Sequence, residues 1–180
     1  MSDTSNAAYI RPIRAEFLPV DDGREFGALR GGGRAHAGVD FCMPDCKRVP
    51  VYASIGGKVI RYYKLPGEKY ALEILNDNGT VFRYCGVVSS LRPGAIVDQG
   101  DRIATITPNQ TSRSMILHME YYKNSQFGSL TDFNNTTYDF VPKRNYQRRR
   151  DLCDPSFLAT RLIETPQDLA NYKNAGLDPN

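Results

Sequence analysis

Residues 70–76 and 80–88 flank the tripeptide Asp77-Asn78-Gly79. Both flanks are rich in aromatic and aliphatic residues, and Asn-Gly between such runs signals a tight reversal because both positions tolerate positive φ. A central hairpin commits the chain to a sheet. The same rhythm extends to either side. Val51-Tyr52-Ala53 reads as a strand, Gly56-Gly57 as a turn or bulge, and Lys58 to Tyr63 as a strand closed by Pro66-Gly67. A short strand sits between Pro93-Gly94 and Asp98-Gln99-Gly100, followed by strands over Asp101 to Thr107 and Ser114 to Lys123. The pattern predicts a mainly β, antiparallel domain. Thr165-Pro166-Gln167-Asp168 predicts the start of one short C-terminal helix, with a cap residue, proline at the first position and an acid three residues after the cap. Gly176 would stop it.

The length of 180 residues predicts one domain with an appended tail. Residues 1–25, with Pro12, Pro19 and Asp21-Asp22-Gly23, are expected as an extended lead-in, and residues 159–180 as the helix and tail. The net charge of +3 is mild. It favours approach to an anionic polymer such as a cell wall and does not argue for nucleic acid. No apolar run nears the roughly 20 residues that span a bilayer. The N-terminus is polar, with no hydrophobic leader core. The expectation is residence in the cytoplasm, export or injection by a route without a cleaved leader (with action in the periplasm or on the wall), or prior trimming. Cys42, Cys46, Cys85 and Cys153 permit two disulfides without requiring them. The readings are buried or free thiols, a tight Cys42–Cys46 bridge, or a cysteine zinc site, the last lacking a second closely spaced pair.

Only two histidines occur, His36 and His118. Two imidazoles and one carboxylate make a three-ligand set of the kind catalytic zinc sites use, with the fourth position left for water. Residues two apart on a strand share a face. Over 114–122 that groups Ile116, His118, Glu120 and Tyr122, and leaves Met115, Leu117, Met119 and Tyr121 for a core. A lone histidine on a strand is more often structural than a ligand. Here it shares its face with a carboxylate, and the other histidine has Asp40 four residues on. Glu120 reads either as a group orienting a ligand or as an exposed strand-end acid. Gly31-Gly32-Gly33 reads as a loop, placed to rim a site. Residues 124–140 are expected as a long loop. Lys143-Arg144 and Arg148-Arg149-Arg150 read as a solvated or salt-bridged face, or a contact for an anionic polymer.

His36-Ala37-Gly38-Val39-Asp40, Pro50-Val51-Tyr52-Ala53, Gly56-Gly57-Lys58-Val59, Gly100-Asp101-Arg102-Ile103-Ala104, Leu117-His118-Met119-Glu120 and Asp154-Pro155-Ser156-Phe157-Leu158 occur in that order. This series resembles the lysostaphin and LytM family of zinc metallopeptidases. The resemblance implies a fold of the duplicated-hybrid-motif type over about residues 26–158, with a groove above an antiparallel sheet. It also implies cleavage of peptide bonds in bacterial peptidoglycan, and Zn²⁺ held by His36, Asp40 and His118. Two departures stand out. Where the family carries its two proton-handling histidines, this chain has Gly86 and Ile116. A carboxylate could substitute as base, Glu73 or Glu120, as in zinc peptidases that use Glu. Tyr84 or Arg83 could donate hydrogen bonds to an oxyanion. Cys85 as a nucleophile has no histidine free to activate it.

Three functions remain open on the sequence. The first is a zinc metalloendopeptidase acting on peptidoglycan peptides. The second is a catalytically degenerate zinc-binding module for wall binding or regulation. The third is a zinc-stapled part of a phage tail or secretion apparatus, which would supply the partner.

Overall fold

The computed structural model describes residues 9–44, 48–67, 69–106, 108, 115–125, 128–135, 145–160 and 163–175. Strands β1 (Leu29–Arg30) and β2 (Arg34–Ala35) pair across a 3₁₀ turn at Gly31–Gly33. There follow β3 (Val39–Met43), β4 (Val49–Tyr52), β5 (Gly57–Lys64), β6 (Tyr70–Asn76), β7 (Val81–Cys85), β8 (Val87–Val88), β9 (Ile96–Val97), β10 (Arg102–Ile106), β11 (Met115–Tyr122) and β12 (Leu152–Cys153). Two helices, α1 (Phe157–Thr160) and α2 (Pro166–Asn174), end the described chain. None of the described helices is long and apolar enough to cross a membrane.

A large antiparallel sheet runs β12-β11-β7-β6-β5-β9, with β3 pairing along β11, and a second sheet runs β4-β10-β8. Alternation decides what lies between them. Leu72 and Ile74 of β6, Phe82 and Tyr84 of β7, and Leu117 and Met119 of β11 join Val51 of β4 and Ile103 and Ile106 of β10 in one buried cluster. The opposite face of the large sheet carries Glu73, Arg83 and Glu120 in cross-strand register. That division was legible in the Met115–Tyr122 alternation, and the mainly β, antiparallel class holds.

Three local differences have physical causes. The strand expected over 80–88 breaks at Gly86, whose φ of 85° leaves the β region. In the 77–80 reversal only Gly79 takes a positive φ, 81°. Asn78 instead uses its side chain, accepting from the Thr80 hydroxyl at 2.7 Å and donating to the Tyr9 hydroxyl at 2.6 Å. Residues 9–25 carry no helix or strand, yet Tyr9, Ile10 and Ile13 are fully buried. Tyr9 packs edge-on to Phe82 at 5.2 Å and against Phe157 at 5.4 Å, tying the N-terminal segment, the hairpin and α1 together.

The α2 start matches its sequence signals, with Thr165 and Asp168 exchanging cap hydrogen bonds and Pro166 in the first turn. Gly176, Thr107, Ser114, Cys46, Lys143 and Arg144 lie outside the described residues. Cys42, Cys85 and Cys153 form no disulfide. Truncating Tyr9 to Ala removes a buried ring that three elements share. The expected cost is about 3 kcal/mol or more, read as a lower urea midpoint at unchanged m-value.

Candidate active site

β3 and β11 pair antiparallel with Asp40 directly opposite His118. His36 reaches the same point from the β2–β3 connection because Ala37-Gly38 crosses tightly over β11. A Cβ on Gly38 would lie 2.0 Å from the Met119 carbonyl oxygen, so only glycine allows this approach. The three donors converge. His36 Nε2 is 3.2 Å from Asp40 Oδ1, His118 Nδ1 is 2.8 Å from the same oxygen, and the two nitrogens are 3.0 Å apart. These edges approximate the donor spacing around one tetrahedral ion with ligands at about 2.0–2.1 Å.

The outer ring nitrogens are tied. His36 Nδ1 lies 2.8 Å from the Glu25 carbonyl, which can only accept, so that nitrogen carries the proton. His118 Nε2 donates to Glu120 Oε1 at 3.0 Å. Each inner nitrogen is then a lone pair aimed at the others and at Asp40 Oδ1. With both imidazoles neutral, three acceptors face one another, an arrangement that a proton on His118 or a metal cation satisfies. The second Asp40 oxygen accepts from Arg30 Nη2 at 3.0 Å.

Burial of Asp40 alone would raise its pKa, but the hydrogen bonds from His118 and His36 outweigh this and hold it well below the usual carboxylate range. Burial likewise pushes His118 down, and the bonds to Asp40 and Glu120 more than reverse that, so in the metal-free protein its pKa is raised.

Glu120 is fully buried and highly coordinated. Arg83 Nη1 donates to its Oε2 at 3.2 Å, Arg148 Nε to its Oε1 at 2.9 Å, and the Tyr122 hydroxyl to Oε2 at 2.6 Å. Burial opposes ionisation, but Arg148 and Arg83 prevail and keep Glu120 a carboxylate. It orients His118 and is not an exposed strand-end acid.

The remaining sequence candidates fall in different places. Arg83 lines the cavity, but its donors serve Glu120, Thr131 Oγ1 at 3.2 Å and the Tyr63 hydroxyl. Glu73 is fully buried, accepts from the Tyr63 hydroxyl at 2.7 Å and pairs with Arg83 at 3.5 Å, outside the cavity wall. Tyr84 faces the core, where its hydroxyl accepts from the Ser54 N–H at 3.2 Å, so the fold does not bring it to the cavity. Cys85 does line the cavity, and burial pushes its thiol up to about 12. Sequence reasoning missed Arg148 as the partner of Glu120. A buried acid on a strand face demands cations, but nothing in Arg148-Arg149-Arg150 distinguishes the one that turns inward. Arg149 instead pairs with Asp151 at 2.6 Å.

The fold thus gathers two imidazoles and a carboxylate in the wall of a cavity, a donor set suited to a divalent metal ion. A sequence model described as peptidase family M23 matches residues 34–129, more than half of the chain, and the chain belongs to that family. Comparison with curated proteins gives no match. Among solved structures, a zinc-containing peptidase from Vibrio cholerae is 27% identical with a TM-score of 0.50, over 63% of this chain and 36% of that one. Lysostaphin from Staphylococcus simulans is 21% identical with a TM-score of 0.52, over 67% of this chain and 50% of that one. The chain thus spans half or less of the length of these two peptidases. CbpA from L. salivarius REN shares the fold at 19% identity and a TM-score of 0.59, over 92% of this chain and 99% of that one.

Replacing Glu120 with Gln removes the carboxylate that Arg83 and Arg148 share and weakens the hold on His118 Nε2. The expected result is a lower Tm together with a roughly 10–100-fold loss of metal affinity, measured by thermal melts and by competition with a chromophoric chelator.

Proposed function

We propose that this chain is a zinc metalloendopeptidase acting on the peptide bonds of bacterial peptidoglycan, with His36, Asp40 and His118 holding the ion. The observation that carries this reading is the set of three inward-facing acceptors, each fixed from behind: Glu25 behind His36, Arg30 behind Asp40 and Glu120 behind His118. Membership of peptidase family M23 and the likeness to a zinc-containing peptidase support it. Zinc, when bound, acidifies water to a pKa near 7 and polarises a peptide carbonyl. The chain's own residues hold and orient the ligands and wall the cleft.

The resemblance implies a departure in proton handling. Gly86 and Ile116 both line the cavity, at positions where the resemblance leads one to expect histidine. Gly86 has a φ of 85°, and a Cβ there would stand 2.7 Å from the Ile116 carbonyl oxygen. A side chain at Gly86 would strain that backbone, so the strand break itself disfavours an imidazole there. Among the described residues lining the cavity, the carboxylates are Asp40 and Glu120, and both are committed. A general base contributes roughly 10²–10⁴-fold, so turnover is expected to be slow. The same observation favours a second reading, a zinc-binding module that engages the wall without cutting it. A structural part of a phage tail or secretion apparatus would behave in the same way.

Intact peptidoglycan incubated with zinc-loaded protein should release new peptide termini that a chelator abolishes, scored by mass spectrometry. Tight zinc without new termini selects the binding module. His118→Ala should lose zinc altogether, and undiminished stoichiometry in that variant would refute the ligand assignment.

The raised pKa of His118 sets a pH dependence. In the metal-free protein its proton stabilises the fold fully below the unfolded value near 6.5, and that contribution is lost as pH rises through the raised folded value. Zinc must displace this proton. Zinc affinity should therefore climb with pH across that window and level off above it, with proton release visible by calorimetry in two buffers. Affinity that is flat from pH 6 to 9 contradicts the assignment.

A further inference from the structure

The triad opens into a cleft of two connected lobes. The first, about 470 Å³, has His36, Asp40 and His118 in its wall. The second, about 480 Å³, runs along β5 towards Pro93. Leu65, Pro66, Arg83, Thr131 and Phe133 border both lobes, and Phe133, 71% exposed, gives the junction an apolar rim.

The charge of this cleft is lopsided. Arg30, Arg34, Lys69, Arg83 and Arg148 line the first lobe, and Arg61 and Lys64 add to the second. Among the described residues, Asp40 and Glu120 are the only carboxylates in either wall, and Arg30, Arg83 and Arg148 already answer them. Arg34 and Lys69 are exposed on the rim of the metal lobe. Arg34 donates to the Gly31 carbonyl at 3.2 Å, and among the described residues no carboxylate pairs with Arg34 or Lys69. A one-signed cleft with low-dielectric walls concentrates ligands of the opposite charge. An uncharged peptide gains nothing from such a rim.

We propose that the cleft selects anionic peptides, with Arg34 and Lys69 as specificity-determining residues that receive a substrate carboxylate beside the metal triad. Peptidoglycan stem peptides, which carry free carboxylates, fit this rim, and uncharged glycine bridges do not. The choice of peptidoglycan rests on the peptidase reading above, whereas the carboxylate preference is a binding property that stands without cleavage.

The test uses zinc-loaded full chain and three fluorescein-labelled peptides: alanyl-γ-glutamyl-lysyl-alanine with free carboxylates, the same peptide with those carboxylates amidated, and pentaglycine amide. Fluorescence polarisation should show the free acid binding about 3- to 10-fold tighter than its amide, with the gap narrowing as salt rises. Arg34→Gln and Lys69→Gln should each reduce the preference, and the double variant should abolish it at unchanged zinc stoichiometry. Lys69→Arg should keep it. Equal binding of acid and amide, no binding of any peptide, or a preference surviving in the double variant overturns the proposal. Preference without cleavage instead counts against the peptidase reading and leaves this one standing.

Discussion

The buried charge on Glu120 is the constraint on which the site depends. Taking a carboxylate out of water costs several kcal/mol unless partners replace the lost hydration. Here Arg83, Arg148, Tyr122 and His118 all supply hydrogen bonds to it. Those partners come from β7, from the segment after residue 144 and from β11 itself. Satisfying one acid therefore docks a distant segment against the sheet, walls the cleft and fixes the orientation of His118. The same interaction makes the network unforgiving, because removing one member strands the others in a dry interior.

Strand register does the rest. Antiparallel pairing of β3 with β11 puts Asp40 opposite His118, and a slip of one residue would send one of them to the opposite face of the sheet. His36 joins through the close passage at Gly38. The donor triangle is thus held by backbone geometry and by a fixed partner behind each member, the acceptors Glu25 and Glu120 behind the imidazoles and the donor Arg30 behind Asp40, which is preorganisation for a cation rather than a loose cluster of polar residues.

Against this well-built ligand set stands a cleft poor in bases. The break between β7 and β8 at Gly86 and the aliphatic side chain of Ile116 occupy positions where the resemblance to lysostaphin-like peptidases leads one to expect imidazole. The donor triad follows from the pairing of β3 with β11, whereas Gly86 lies at the break between β7 and β8 and Ile116 on β11 beside the triad.

Much of this was legible in the chain itself. Alternation over Met115–Tyr122 divides core from cleft because side chains on a strand repeat every two residues. Two histidines in motif context pointed to the donor set, and Thr165-Pro166 with Asp168 carries its own capping chemistry. Other features depended on long-range partners that periodicity does not encode. Tyr84 and Arg83 are neighbours in sequence, yet one lies in the core and the other faces the cleft. Glu73 and Glu120 look alike as acids on strands and both pair with Arg83, but their places on β6 and β11 leave one outside the cavity wall and set the other against His118. Tyr9, in a segment with no regular structure, is a core residue because three other elements close over it. Local patterning determined the strands, the faces and the residue types at the site. Only tertiary packing decided which charges are neutralised and which stay open to a ligand, because neutralisation depends on distances between segments far apart in the chain.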